Sequence, residues 1–171
     1  MAQIGNVSAE QLMVGSSILS RPADEFGNDS SVEFMWATKA FEHAEIYFNI
    51  LCSVDPKLLR LTPHDDLIYK TFRETFSDLK VDVINEDELK SEEQKKIWRP
   101  FCEQFKGVVE DYSFGTLLRS DCNLDYSETN SILVTRIQFY AVELARNREG
   151  LNDGIREKFK PKKITIDVNK S

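Results

Sequence analysis

Residues Trp98–Cys122, WRPFCEQFKGVVEDYSFGTLLRSDC, limit the fold more than any other stretch of the chain. They hold one of the two tryptophans, two of the three cysteines, and Phe101, Phe105, Tyr112 and Phe114, with Pro100 set inside a helical repeat. The spacing Ile97, Phe101, Phe105, Val108/Val109, Tyr112 predicts a helix buried along one face. Proline lacks the amide donor and its ring crowds the preceding turn, so this helix should kink or restart at Pro100. Phe114–Arg119 then reads as extended, and Ser131–Thr135, SILVT, is a β-branched run. The two can pair as a small antiparallel ribbon across the polar loop SDCNLDYSETN.

The flanking sequence reads as helices with marked ends. Ser30 and Glu33 form a capping-box pattern, each side chain able to satisfy an orphan amide of the first turn. Phe34, Ala37, Phe41, Ala44, Phe48 and Leu51 follow at helical spacing, beside a second stripe of Trp36, Ala40, His43, Tyr47 and Ile50. Together they cover most of the girth, which predicts a helix central to a bundle. Asp55-Pro56 ends it. Thr62 as N-cap, Pro63 at the first helical position and Asp65 open the next helix, with Ile68, Phe72 and Phe76 on its inner face and Tyr69 and Leu79 beside them. Lys80–Asn85 alternates and predicts a short strand. Ser91 and Gln94 cap the solvated stretch that leads into Trp98.

Beyond the ribbon, Thr135 and Gln138 cap RIQFYAVELARNREG, with Ile137, Tyr140, Ala141, Leu144 and Ala145 inward. Arg146 and Arg148 suit the negative end of the helix dipole, and Gly150 stops it. Leu151–Phe159 is a weaker helical turn. The expected architecture is mainly α: a single-domain helical bundle of about four to six helices with a small β element. It spans residues 31–159, between a flexible N-terminal lead-in at 1–30 and a C-terminal tail at 160–171 in which Ile164, Ile166 and Val168 alternate. There is no internal repeat and no low-complexity tract.

At 171 residues the chain can bury a core that needs neither disulfides nor metal. Cys52, Cys102 and Cys122 are odd in number and far apart, so reduced thiols are expected. The N-terminus has no basic region followed by an apolar one, and no run approaches the ~18 apolar residues of a membrane span. A cytoplasmic protein without a membrane partner follows, with nuclear access open. The net charge of −7 repels phosphate backbones and disfavours nucleic acid as a partner.

Chemistry-bearing residues read more simply as structure. Asp65 and Asp66 after His64 complement a helix N-terminus. His43, beside Glu42 and Glu45, sits at a core edge. Two histidines and dispersed cysteines make no zinc set, so no metal is expected. Glu110, Asp111 and Asp121 would need a shared pocket to act as acid and base. The seven glycines form neither a dinucleotide nor a phosphate loop, so no cofactor is expected. Arg156–Lys163 reads as a solvated basic run. No catalytic residues are assigned, and the chain is read as not an enzyme.

More informative are polar groups set among aromatics: Trp98, Arg99, Pro100, Asp111, Tyr112, Arg119, Arg146, Asn147 and Arg148. They support two compatible readings. One is a buried ion-pair and hydrogen-bond lattice, and the other is a protein-binding patch, since Trp, Tyr and Arg dominate interface hot spots.

Three blocks carry a family resemblance: SVDPKLLRLTPHDDLIY at Ser53–Tyr69, the stretch Trp98–Cys122, and RIQFYAVELARNREG at Arg136–Gly150. In this order they resemble the polysaccharide biosynthesis domain-containing protein family of fungi and animals, over about residues 32–155. An acidic extension found in some members is missing. The resemblance implies a mainly helical cytosolic chaperone dedicated to translation elongation factor 1-alpha. It would engage the nascent GTP-binding domain at the ribosome, with ribosome-associated factors nearby and nucleotide bound by the client. An acidic protein suits a basic client. A monomer is expected. The family label suggests instead an enzyme related to polysaccharide biosynthesis, and a nuclear or transcription-linked scaffold is a third reading.

Overall fold

The structure, a computed structural model, describes residues 30–162. The lead-in through residue 29 and the alternating tail at Ile164–Val168 lie outside the described residues. The side chain of Ser30 does too, and with it the Ser30–Glu33 capping box.

The protein is mainly α, with six α-helices among the described residues and one two-stranded sheet. Helix α1 is Ser30–Leu51, and Asp55 then caps a 3-10 turn at Pro56–Leu58 by accepting from the Lys57 amide. Helix α2 is Asp65–Thr75. Asp65 accepts from the amides of Leu61 and Thr62 at 2.8 and 2.7 Å, while the Thr62 hydroxyl accepts from His64 at 2.8 Å. Thr62 and Asp65 thus both accept main-chain bonds in the turn before the helix. The N-cap, however, is His64, which makes no side-chain cap bond, and Pro63 lies before the first helical residue, Asp65, rather than being it. Ile68, Phe72 and Phe76 are all buried.

Helices α3 (Glu86–Leu89) and α4 (Glu92–Glu103) follow, α4 capped by the Ser91 hydroxyl on the Gln94 amide. Strands β1 (Gly115–Arg119) and β2 (Ser131–Thr135) pair antiparallel, from Gly115 opposite Thr135 to Arg119 opposite Ser131. Helix α5 (Arg136–Arg148) carries the Thr135–Gln138 capping box in full. It ends where Gly150, at φ 83°, lets the Leu151 amide reach back to the Arg146 carbonyl. Helix α6 is Ile155–Lys158.

Three further expectations are corrected. The central helix is α5, in which every residue from Ala141 to Asn147 is buried, and not α1. Ala37, Ala40, Ala44, Tyr47 and Leu51 bring one face of α1 against the ribbon and core, while Val32, Phe34, Met35, Ile46 and Ile50 remain exposed. Small alanines let the helix backbone sit close on that side. The bulky residues opposite have nothing described to pack against.

Lys80–Asn85 is not a strand. It makes one isolated bridge, Val83 with Asp121, with Val81 and Ile84 buried and Val83 exposed. Finally, α4 passes through Pro100 without breaking and then stops at Glu103 rather than running to Tyr112. Pro100 lies on the exposed side, where the carbonyl of Lys96 can face water. Phe105 and Val109 stay buried through successive turns that use Gly107 at φ 77°. Trp98, and not Ile97, joins Phe101 on the inner face.

Candidate functional site

The polar candidates divide between interior and surface. Arg119 and Arg146 are fully buried and converge on Glu143, also fully buried, which the sequence reading missed. The Glu143 carboxylate accepts from Tyr47 Oη at 2.6 Å, Arg146 Nη1 at 2.9 Å, Asn152 Nδ2 at 3.0 Å and Arg119 Nη2 at 3.4 Å. Asn147 donates to Tyr47 Oη at 3.2 Å and accepts from Asn152 at 2.6 Å. Arg119 also donates to Asn152 Oδ1 at 2.8 Å and to the carbonyls of Cys122 and Leu124, while its Nε is buried without a partner. Arg146 donates to the carbonyls of Val81 and Ser120.

Burial alone would push the Glu143 carboxyl up, but Arg119 and Arg146 outweigh it and hold it below the usual carboxylate range. Burial and the neighbouring Glu143 raise Tyr47 well above a free phenol. Arg119, Arg146 and Asn147 thus belong to a framework lattice. As contacts for a partner they are corrected, because none reaches the surface. The missed signal was Glu143 itself: an acid three residues before Arg146, flanked by Val142 and Leu144 on an all-apolar turn.

The others lie elsewhere. Trp98 is buried against Phe72, Phe76 and Phe101. Arg99, Pro100 and Asp111 are exposed, and Tyr112 is half-buried with its hydroxyl 3.5 Å from Glu103. Arg148 is exposed, bonded to Asp66 at 2.7 Å over the Tyr69 ring.

A cleft of about 550 Å³ opens between α4 and the β2–α5 junction, with Trp98, Arg99, Cys102, Val134 and Ile137 among its lining. Burial pushes the Cys102 thiol up to about 11, so it stays protonated at neutral pH. A smaller cleft of about 180 Å³ lies between Lys57 and Arg148. Glu110, Asp111 and Asp121 line neither one. Among the described residues no three His, Cys, Asp or Glu side chains gather as a metal set, and no helix is long and apolar enough to cross a membrane.

His43 stacks edge-on against Phe139 at 5.1 Å, with Nδ1 buried and without a partner. Burial, then the charge of Arg136, lowers its pKa from 6.5 to about 4. Between those values the unfolded chain binds the proton that the folded chain refuses, so this ring's contribution lowers stability as pH falls through that window. An NMR titration of the His43 ring should therefore show a midpoint near 4. A midpoint at the ordinary histidine value would put the ring in solvent.

Comparison with known proteins gives a consistent result. The family model described as PBDC1 protein matches residues 32–157. Protein PBDC1 of Mus musculus is 52% identical over 149 residues, covering 87% of this chain and 75% of its own length. Protein PBDC1 of Homo sapiens is 51% identical over 149 residues, and the chain spans 64% of that relative's length. The Saccharomyces cerevisiae homologue is 44% identical over 137 residues, 78% of this chain and 94% of that protein. A solution NMR structure of a Saccharomyces cerevisiae protein superposes with a TM-score of 0.70 at 45% identity, covering 75% of this chain and 90% of that one.

Proposed function

The chain belongs to the PBDC1 protein family, and from that premise we propose that it is a non-enzymatic, client-specific chaperone assisting the folding of nascent translation elongation factor 1-alpha. It acts in the cytoplasm near the ribosome, with nuclear entry open.

The observation that carries this reading is the outer face of α1. Val32, Met35, Ile46 and Ile50 project from one side of the helix, opposite the buried alanines, and are exposed by 43, 58, 51 and 40%. Exposed apolar residues aligned on one helix face are a common mark of a protein-binding surface. The helix also carries Glu33, Glu42 and Glu45 against the single base Lys39. An apolar face with acidic neighbours suits an incompletely folded basic client: the apolar side chains supply contact area, and the carboxylates steer encounter and reject acidic chains.

The test is affinity capture from a eukaryotic translation extract with the wild-type chain and with Met35→Ser/Ile46→Ser. Wild type should enrich elongation factor 1-alpha, and the double variant should lose most of it while keeping its helical circular dichroism. Recovery of unrelated proteins alone, or equal capture by the variant, overturns the reading.

A further inference from the structure

The larger cleft has no α1 residue among its lining and differs in chemistry from the outer face of that helix. Leu133 and Val134, adjacent residues whose side chains lie on opposite faces of the ribbon, both line it. A groove bordered by both faces of one strand runs along that strand's edge. Here the edge is the open side of β2, since the sheet is β1–β2 and no further strand joins it among the described residues. The Ser120 amide donates to the Asn130 carbonyl, which sets the alternation of the ladder. Leu118–Ile132 and Thr116–Val134 are then the pairs that exchange main-chain bonds. The N–H and C=O of Leu133 therefore point away from β1, into the cleft.

The floor is apolar, from Leu89, Val134 and Ile137. Trp98 lines the same wall, and its indole N–H is buried without a hydrogen-bond partner. The rim is cationic, with Lys90, Lys95 and Arg99 against Glu103. Lys90 is held by Glu86 at 2.7 Å and Lys95 loosely by Glu92 at 3.6 Å. Arg99 has neither a hydrogen-bond nor an ion-pair partner among the described residues, on a chain whose net charge is −7. An unpaired guanidinium beside a buried tryptophan has the composition of an interface hot spot and the geometry to grip a carboxylate with two parallel hydrogen bonds.

The geometry points to a binding groove for an extended peptide of a partner protein, one in which an apolar side chain is flanked by Asp or Glu. The peptide adds beside β2 through the Leu133 main chain, drops its apolar side chain onto the Trp98 and Ile137 floor, and sets its carboxylate on Arg99. This stands on the cleft alone and does not require the client proposed above.

The probe is a fluorescein-labelled octapeptide alternating valine or phenylalanine with glutamate, read by anisotropy against the full-length chain, with a lysine-for-glutamate control. The glutamate peptide should bind and the lysine peptide should not. NMR shifts should concentrate at the Trp98 indole and the amides of Leu133–Thr135. Arg99→Glu, at an exposed position that holds no internal bond, should weaken the glutamate peptide roughly tenfold or more and restore binding of the lysine peptide. Three results overturn the proposal: affinity indifferent to Arg99→Glu, shifts confined to α1, or self-association through the cleft. A fourth concerns the acidic, aromatic run Asp24-Glu25-Phe26 of the chain itself. If Asp24→Lys/Glu25→Lys raises peptide affinity, the occupant is the chain's own leading segment and not an external partner.

Discussion

Glu143→Gln should lower the free energy of unfolding by about 3–5 kcal/mol, the usual loss when one member of a buried ion-pair cluster is neutralised. Among the described residues its carboxylate is the only one paired with the two fully buried guanidiniums, at 2.9 Å from Arg146 and 3.4 Å from Arg119. Neutralising it leaves both cations out of water with no counter-charge. Glutamine also turns an acceptor oxygen into an amide donor among the donors of Tyr47, Asn152 and the arginines. Tyr47→Phe, which removes the donor to Glu143 and the acceptor of Asn147 but no charge, should cost less, about 1–3 kcal/mol. Urea titration of both variants separates the charge from the hydrogen bond, and equal losses would show that charge does not hold the lattice. The pH dependence has a fixed sign. The Glu143 carboxyl titrates below its usual range when folded, so its contribution is complete above the unfolded value and is lost as pH falls through the folded one. The exposed Arg148–Asp66 pair carries far less, within the ~0–1 kcal/mol of surface pairs. The two arginines of the last turn of α5 therefore part company, Arg146 as framework and Arg148 as surface.

Gly115→Ala should destabilise the fold by roughly 1–3 kcal/mol, as overpacking does, and should loosen the first half of α1. An added Cβ at Gly115 would lie 1.7 Å from Cζ2 of Trp36, with two further ring atoms inside 3 Å. The obstacle is the middle of a rigid indole rather than a flexible tip, so the ring must swing away from Phe114, its neighbour at 6.2 Å. Trp36 is the contact through which α1 seats on the start of β1. Removing the obstacle should repair the damage: Trp36→Leu combined with Gly115→Ala should recover most of the loss relative to Trp36→Leu alone. Hydrogen exchange along α1 would report it, and a Gly115→Ala variant with native protection there would mean that the indole is free to move.

Local signals in this sequence were reliable where they depend on neighbours along the chain. The Thr135–Gln138 box, the Gly150 stop and the ribbon between Gly115 and Thr135 each follow from a few adjacent residues whose preferences agree. Errors arose where the outcome depends on what lies opposite. The apolar girth of α1 measures hydrophobicity and not burial, and only packing against Leu117 and Leu133 decides which stripe is inside. Lys80–Asn85 has strand-like residues, but strand pairing there amounts to one bridge to Asp121. The candidate arginines could be named from sequence because Arg among aromatics is unusual. Sorting them required knowing that Glu143 points at Arg119 and Arg146, a contact 24 residues long in one case.

The destinations of the two guanidiniums also bear on motion. Together they donate to the carbonyls of Val81, Ser120, Cys122 and Leu124, main-chain groups from two irregular segments. Those segments are further tied to each other by Ile84 to Ser120 and Cys122 to Asp82. Neither can peel away without exposing a buried cation, so opening either loop demands that α5 open with it. These two loop segments are thus part of the same cooperative unit as the central helix, and their amides should exchange with solvent on the clock of global unfolding.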